Sequence, residues 1–471
     1  MVVAWLPVEL WIKIIKNIFD PSSLLAFRLV NHAWDDIASK QLKHVAYLSV
    51  EPGSLDDTEK RVSNRKTRLS TKGIVVCLPN SDHFYFRDPC QPGTLSSSSN
   101  SEHQERLRRL LLDELPRFEN LIHMAVHFRP PPKALGPHQA SAFSQEHWIY
   151  HMVEDLFSTL SQFYKGLDEL FLECLPVHAM IPGSSPDSHP QQYAEALEFL
   201  QDLNLKSLKL AWVGPGVWPP SNAPIWKTYG PANLWISPVK DTLRHLSISS
   251  WGFYIVEWTR FGPDGPDFHI PNLESLELRA CTFTSDVGFK WILAHKSTLY
   301  SLKFDDCAIL HCLQTSPDNP FISQTLAKKV EIKHGLKMGL CQLRWQEWFH
   351  KFRAGLPNLT NFQFGSSRIR EPGEEGPVFE SERVKGPRFG QKAKFLLGLF
   401  PDRYLEMKQN LEEAPWILDP PAETHKKRPQ CDKADLVALR LLLKYTKQHA
   451  DENSTSDHAG YVENLLGRVK P

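Results

Sequence analysis

An excess of either charge sign is missing from this chain: over 471 residues, basic and acidic residues stand at 54 each. No global field therefore steers it toward nucleic acid or an anionic membrane. Long apolar runs are missing too, and nothing approaches the roughly 18 residues of a membrane span. Glu9 and Lys13 interrupt the first hydrophobic stretch, so a signal peptide is not expected. Cysteine is sparse, with 8 residues scattered at no framework spacing, which excludes a disulfide-stapled fold and suits a reducing compartment. A cytoplasmic or nuclear protein is expected, and the Asn358-Leu359-Thr360 and Asn453-Ser454-Thr455 acceptor patterns would then stay idle. The chain also lacks a phosphate-binding G-x-x-x-x-G-K-[ST] loop, a dinucleotide glycine fingerprint and a nucleophile elbow.

What is present reads as soluble globular protein, 41% hydrophobic and 23% charged, long enough for two or three domains or one elongated array. The first forty residues are dense in apolar side chains. Leu6-Pro7-Val8-Glu9-Leu10 opens a helix whose first turn tolerates Pro7, and Ile14, Ile15 and Ile18 follow at helical spacing. Asp20-Pro21 can start a second helix, along which Leu24, Leu25, Leu29, Val30, Trp34 and Ile37 continue the stripe. So small a unit cannot bury that much surface alone and needs a partner or the rest of the chain. This order of residues, from about Trp5 to Gln41, resembles the F-box. The resemblance implies docking on a Skp-type adaptor, and through it on a cullin scaffold, by Leu6, Pro7, Leu10, Ile14, Leu24, Leu25, Val30 and Trp34.

A second pattern recurs afterwards: apolar residues at positions one, four and six, often with a buried residue at nine. It appears at Leu42, Val45 and Tyr47, at Leu121, Met124 and Val126, at Leu167, Leu170 and Leu172, and at Leu205, Leu208 and Leu210. It returns at Leu243, Leu246 and Ile248, at Leu273, Leu276, Leu278 and Cys281, at Leu299, Leu302, Phe304 and Cys307, and at Leu359, Phe362 and Phe364. Helical patterns precede several copies: 146–165, 193–203, 285–297 behind Ser285 and Asp286 as capping candidates, and 343–353. The combination resembles the strand half of leucine-rich repeats, in the manner of the large F-box family of fungal genomes.

The expected fold is therefore α/β, an N-terminal helical F-box followed by an irregular leucine-rich-repeat-like solenoid with loop insertions. Its expected parts are 1–41 as F-box and 42–365 as solenoid, then 366–390 as an exposed or mobile segment and 391–471 as a helical region with a disordered tail. Within the last part, 395–411 and 434–445 carry helical patterns, and 51–105 reads as a mostly polar insertion with a strand-like piece at 74–78.

Candidate chemistry is thin. His147 and His151 sit four apart on a predicted helix without a visible third ligand, so no metal and no cofactor is expected. Cys307, His311 and Cys312 form another cluster, but Cys307, like Cys281, falls at a position that points into the stack. Asp305 and Asp306 are neighbours whose side chains should diverge on a strand. Six of the 14 tryptophans crowd into one region, Trp212, Trp218, Trp226, Trp235, Trp251 and Trp258, and are read mainly as internal packing.

The function expected from the resemblance is that of a non-catalytic substrate receptor of an SCF-type cullin ubiquitin ligase. The alternatives are an adaptor-binding scaffold outside a ligase, or a hydrolase or metal enzyme with a site built from distant loops. With positions four and six facing the core, positions three, five and seven face away. They give Glu169, Phe171, Lys209, Ser247, Glu277, Arg279, Lys303 and Asp305 as candidates for holding a protein target with a polar or charged epitope. Reversing Arg279 and Lys303 is then expected to release the target without altering stability.

Overall fold

Each copy of the apolar pattern becomes a strand in the computed structural model of the chain. The structure describes residues 34–49, 55–77, 105–127, 159–162, 166–176, 200–213, 235–254, 269–315, 330–366, 396–408 and 429–446, apart from a few positions inside those spans. Two compact units are present, Met1–Leu210 with Phe379–Gln391, and Ala211–Val378 with Lys392–Pro471.

In the first unit, β1 (Val45–Ser49) is followed by helices α1 (Leu55–Ser63) and α2 (Arg65–Ser70), then by β2 (Gly73–Cys77), β3 (His123–His127), β4 (Glu169–Pro176) and the start of β5 (Ser207–Val213). Strands β1 to β4 run parallel in chain order, Val45 opposite Gly73, Gly73 opposite His123, and His123 opposite Glu169. One backbone device sets this register. The carbonyl just before each strand accepts two N–H groups from the start of the next: His44 from Lys72 and Gly73 at 2.8 and 3.0 Å, Lys72 from Ile122 and His123 at 2.9 and 3.1 Å. Ile122 and Asp168 repeat it. Ile74, Val76, Met124, Val126, Leu170, Leu172, Leu208 and Leu210 are buried as the alternation requires. In β1 the described side chains, Ala46 and Leu48, are buried; those of Val45 and Tyr47, which the pattern picks out, lie outside the described residues. The stretch read as a polar insertion forms α1, which buries Leu55, Thr58 and Val62 at helical spacing, and α2, whose first turn is capped by the Asn64 side chain.

The second unit contains β6 (His245–Tyr254), β7 (Ser275–Phe283), helix α3 (Val287–Ala294), β8 (Ser301–Asp305), β9 (Ala308–Thr315), β10 (Val330–Lys333) and β11 (Leu336–Leu340). Helix α4 (Trp345–Gly355), β12 (Asn361–Ser366), β13 (Leu396–Leu397), β14 (Tyr404–Lys408) and helix α5 (Asp432–Tyr445) complete it. Strands β6, β7, β8 and β12 are parallel, and the short β13 closes antiparallel onto β12. Beyond them the chain bends. Ala280 and Asp306, with φ of 52° and 55°, occupy the left-handed region at matching points after Arg279 and Asp305. The backbone thereby leaves the first ladder, and a second, mixed sheet forms, in which β9 pairs with β11 antiparallel and with β14 parallel.

This architecture corrects the expected fold. The described residues are α/β with mostly parallel strands in sequence order plus a mixed sheet, not the expected leucine-rich-repeat-like solenoid; most of the expected F-box, 1–41, lies outside the described residues. A solenoid repeats one strand-and-helix unit, whereas here the strands after β7 and β8 turn into different, partly antiparallel pairings. The helix expected over 395–411 is instead β13 and β14, because pairing with β12 and β9 overrides local helical pattern. Residues 1–33 and 367–395 lie outside the described residues.

Aromatic side chains fill the core between the parallel sheet and the helices α3 and α4. Phe289 stacks on Phe283 at 4.1 Å and on Trp348 at 4.4 Å, and Trp345 meets Phe364 edge-on at 4.8 Å between ring centres. Gly355 lets α4 approach α3, since a Cβ there would lie 2.8 Å from the Leu293 side chain. No side chain caps α4 from its own N-cap residue, Arg344. Its first N–H groups are satisfied from elsewhere: Tyr404 Oη accepts from Trp345 N at 2.9 Å, and the fully buried Asp435 accepts from Gln346 N at 3.0 Å. Asp435 also accepts from Arg403 Nε at 3.1 Å and from Tyr404 Oη at 3.0 Å. Burial and that carboxylate push the Tyr404 phenol up from its ordinary range. Asp435→Ala leaves the buried Arg403 Nε, the Tyr404 hydroxyl and one helix N–H, that of Gln346, without their acceptor, and should cost about 3–5 kcal/mol, read as a lower urea midpoint.

His295 is buried behind α3. Its Nε2 accepts from Ile270 N at 3.1 Å, so Nδ1 carries the proton and donates to Trp291 O at 2.9 Å. Burial, above all, lowers its pKa to about 4. The unfolded chain takes up a proton near 6.5 and the folded chain only near 4, so the contribution is full above 6.5 and is lost as pH falls through that window. Wild-type stability should drop by up to about 3 kcal/mol more than that of His295→Gln between pH 7 and pH 4, measured by denaturant melts at each pH.

Candidate functional site

Alternation along β6, β7, β8 and β12 buries Leu246, Ile248, Leu276, Leu278, Leu302, Phe304, Phe362 and Phe364. The residues between them form three cross-strand rows on the opposite face. The first is His245, Ser275, Ser301 and Asn361; the second is Ser247, Glu277, Lys303 and Gln363; the third is Ser249, Arg279, Asp305 and Gly365. Neighbours in a row stand about 4.8 Å apart, the strand spacing of a sheet. Asn361 Nδ2 donates to Ser301 Oγ at 3.1 Å in the first row. Lys303 Nζ meets Glu277 Oε1 at 2.5 Å in the second. Arg279 Nε lies 3.7 Å from Asp305 Oδ2 in the third, the carboxylate side chain 4% exposed and the guanidinium side chain 36%. The polarity of the pair inverts between rows, acid on β7 in one and on β8 in the next. Beside the third row, Ser366 Oγ donates to Asp306 Oδ1, so the two adjacent aspartates take separate partners.

The structure thus brings Ser247, Glu277, Arg279, Lys303 and Asp305 together on one face of the second unit. Glu169, Phe171 and Lys209 belong to the first unit. There His123 Nδ1 donates to Glu169 Oε2 at 3.1 Å, Phe171 meets His127 edge-on at 5.6 Å, and Lys209 is exposed. Of the residues expected to dock an adaptor, Leu6, Pro7, Leu10, Ile14, Leu24, Leu25 and Val30 lie outside the described residues; Trp34 is described, half-buried in a helical turn. His147 and His151 also lie outside them. Among the described residues no group of three or more His, Cys, Asp or Glu could hold a metal ion.

Cys307 is buried and its thiol donates to Leu278 O at 3.2 Å, with its pKa pushed up by burial and by the neighbouring Cys281. Trp235 is buried, and the other five tryptophans of its cluster have side chains outside the described residues. Asp286 stands before α3 without a capping bond; its carboxylate pairs with Lys290 at 2.7 Å instead. Sequence reasoning missed His295 and the Arg403–Tyr404–Asp435 network, whose members are far apart in the chain and carry no local spacing. Among the described residues no helix is long and apolar enough to cross a membrane.

No family model and no curated protein matches the chain. Among solved structures, a sugar phosphate isomerase/epimerase from Parabacteroides distasonis ATCC 8503 is similar over 75% of this chain and 96% of its own, at 8% identity and a TM-score of 0.18. A likeness that loose transfers neither fold nor chemistry. The readings as an SCF-type substrate receptor and as a non-catalytic ligase subunit are nonetheless corrected. They stood on a helical F-box joined to a solenoid, and the sheet found is a mostly parallel α/β one.

The pairing also corrects the expectation that charge reversal would be silent. Lys303→Glu sets two carboxylates opposite each other and should cost about 1 kcal/mol. Arg279→Glu should cost more, because nearly buried Asp305 loses its cation. Thermal melts should rank wild type above Lys303→Glu, and that above Arg279→Glu.

Proposed function

We propose that the chain is a recognition protein whose binding face is the three polar rows of β6, β7, β8 and β12. The partner is a protein segment of mixed charge. The observation that carries this reading is the in-register pair of ion pairs, Glu277–Lys303 and Arg279–Asp305, with opposite polarity in successive rows. A partner laid across the strands meets the Glu277 carboxylate and the Lys303 and Arg279 cations in a fixed order, with Asp305 holding Arg279 from beneath, and a partner with the inverse order gains where a shifted one is repelled. Apart from His245, the rest of the face is small or amide-bearing, with Ser247, Ser275, Ser301, Asn361 and Gln363 among it, which leaves hydrogen bonding rather than apolar contact.

The test keeps the ion pair and inverts it. Glu277→Lys combined with Lys303→Glu preserves a salt bridge between β7 and β8 while exchanging its ends, so the melting temperature should stay close to that of wild type. Proteins captured from an extract by immobilised wild type and by this swap are compared by quantitative mass spectrometry. Capture of the partner should fall about tenfold or more with the swap, equivalent to about 1.4 kcal/mol. An identical captured set for both proteins, with both folded, overturns the reading.

A further inference from the structure

A separate surface lies on the first unit, around α1 and α2. From Lys60 to Lys72 the sequence places Lys60, Arg61, Arg65, Lys66, Arg68 and Lys72. Lys60 reaches Asp57 and Arg68 reaches Glu114, each at 3.9 Å. Arg61, Arg65, Lys66 and Lys72 are exposed, and none of them has an ion-pair partner among the described residues. The acids on α1 do not offset them. Arg106 holds Glu59 through two hydrogen bonds at 3.0 and 2.9 Å and reaches Asp56 at 2.5 Å, so both carboxylates are already paired.

In the middle of this basic ridge stands Leu69, 44% exposed. With Arg65, Lys66 and Ser70 it lines a shallow, open depression. The backbone beneath it is held from both sides: Asn120 Nδ2 donates to Leu69 O at 2.9 Å, and the His44 ring donates to Ser70 O at 2.7 Å. The surface is therefore preorganised, and binding there orders little.

We infer that this ridge docks an acidic segment of a partner protein, seating an apolar side chain against Leu69 between carboxylates that meet Arg65 and Lys66. Charge complementarity calls for an anion. The depression selects among anions, because a leucine meant for a lipid surface protrudes, and a phosphate backbone offers no apolar side chain to seat. The site is distinct from the polar rows of the second unit, which present both signs of charge.

The experiment uses the full chain and a fluorescein-labelled Glu-Glu-Leu-Glu-Glu peptide, with binding read by anisotropy at about 50 and about 300 mM salt. Binding should weaken with salt and fall about tenfold or more in the Arg65→Glu, Lys66→Glu double variant. Leu69→Ser should lower affinity severalfold at both salt levels, and a peptide with serine replacing its leucine should lose the same factor on wild type. Circular dichroism confirms folding, and Arg65→Gln with Lys66→Gln replaces the reversal if that variant fails to fold. Undiminished binding by the double variant overturns the proposal, as does indifference to Leu69→Ser. Tighter binding of a DNA duplex or of phosphatidylserine vesicles than of the peptide, abolished by the same double variant, overturns it in favour of those anions.

Discussion

A carbonyl oxygen ahead of each of several parallel strands, accepting two N–H groups from the next, fixes the register on which both faces of the parallel sheet depend. His44, Lys72, Ile122 and Asp168 do this in the first unit, and Arg244, Glu274 and Tyr300 in the second. Because the offset is the same at every step, leucines and phenylalanines fall beneath one another and the polar positions fall into rows. A slip of one residue would turn Leu278 and Phe304 outward and drive Glu277 and Lys303 into the apolar layer. The hydrophobic penalty and the charge penalty act in the same direction, so the register is doubly specified. The two left-handed residues, Ala280 and Asp306, come directly after the last paired position, where the ladder no longer dictates the chain's direction.

Past that point the second unit relies on different physics. The aromatic cluster around Phe289, Phe304 and Trp345 fills the space behind the sheet, but aromatic packing alone leaves the start of α4 with unsatisfied donors. Asp435 and Tyr404 supply acceptors from α5 and β14, and Arg403 neutralises the carboxylate at nearly complete burial. One network thereby ties three elements that are remote in sequence. Cys431, which donates to Tyr404 Oη at 3.3 Å and to Asp435 Oδ2 at 3.4 Å, belongs to the same network rather than to a separate thiol site.

Local alternation made most strands legible in the sequence. The inward residues of β3 through β8 and β12 are those that the recurring leucine pattern picks out. Helix α3 falls inside, and helices α4 and α5 overlap, segments whose apolar residues recur at helical spacing. What misled was the step from repeated strands to a repeated unit. The pattern says nothing about β9, β10 and β11, whose antiparallel pairing depends on contacts between segments with no shared motif. Leu396–Leu397 and Tyr404–Lys408 read as helix because their neighbours are apolar at helical intervals, and only the partner strands decide otherwise. On the candidate face, the sequence identified which side chains point away from the core but not that Glu277 with Lys303, and Arg279 with Asp305, are paired. Cross-strand pairing needs the register, and the register comes from backbone bonds that carry no residue signature.

The balance of 54 basic against 54 acidic residues conceals two opposite arrangements. On the rows of the second unit the signs alternate at strand spacing, so the field cancels within one or two Debye lengths and acts only on a partner already in contact. Such a face contributes selectivity and little to the rate of encounter. On the ridge of the first unit, four unpaired cations of one sign stand together, and their fields add at distances where the rows have already cancelled. A chain with no net charge can therefore attract at long range through one surface and discriminate at short range through another. The division follows from local pairing: Arg106 holds Asp56 and Glu59, and Lys60 and Arg68 face Asp57 and Glu114, whereas on the rows every charge described has its opposite on the adjacent strand.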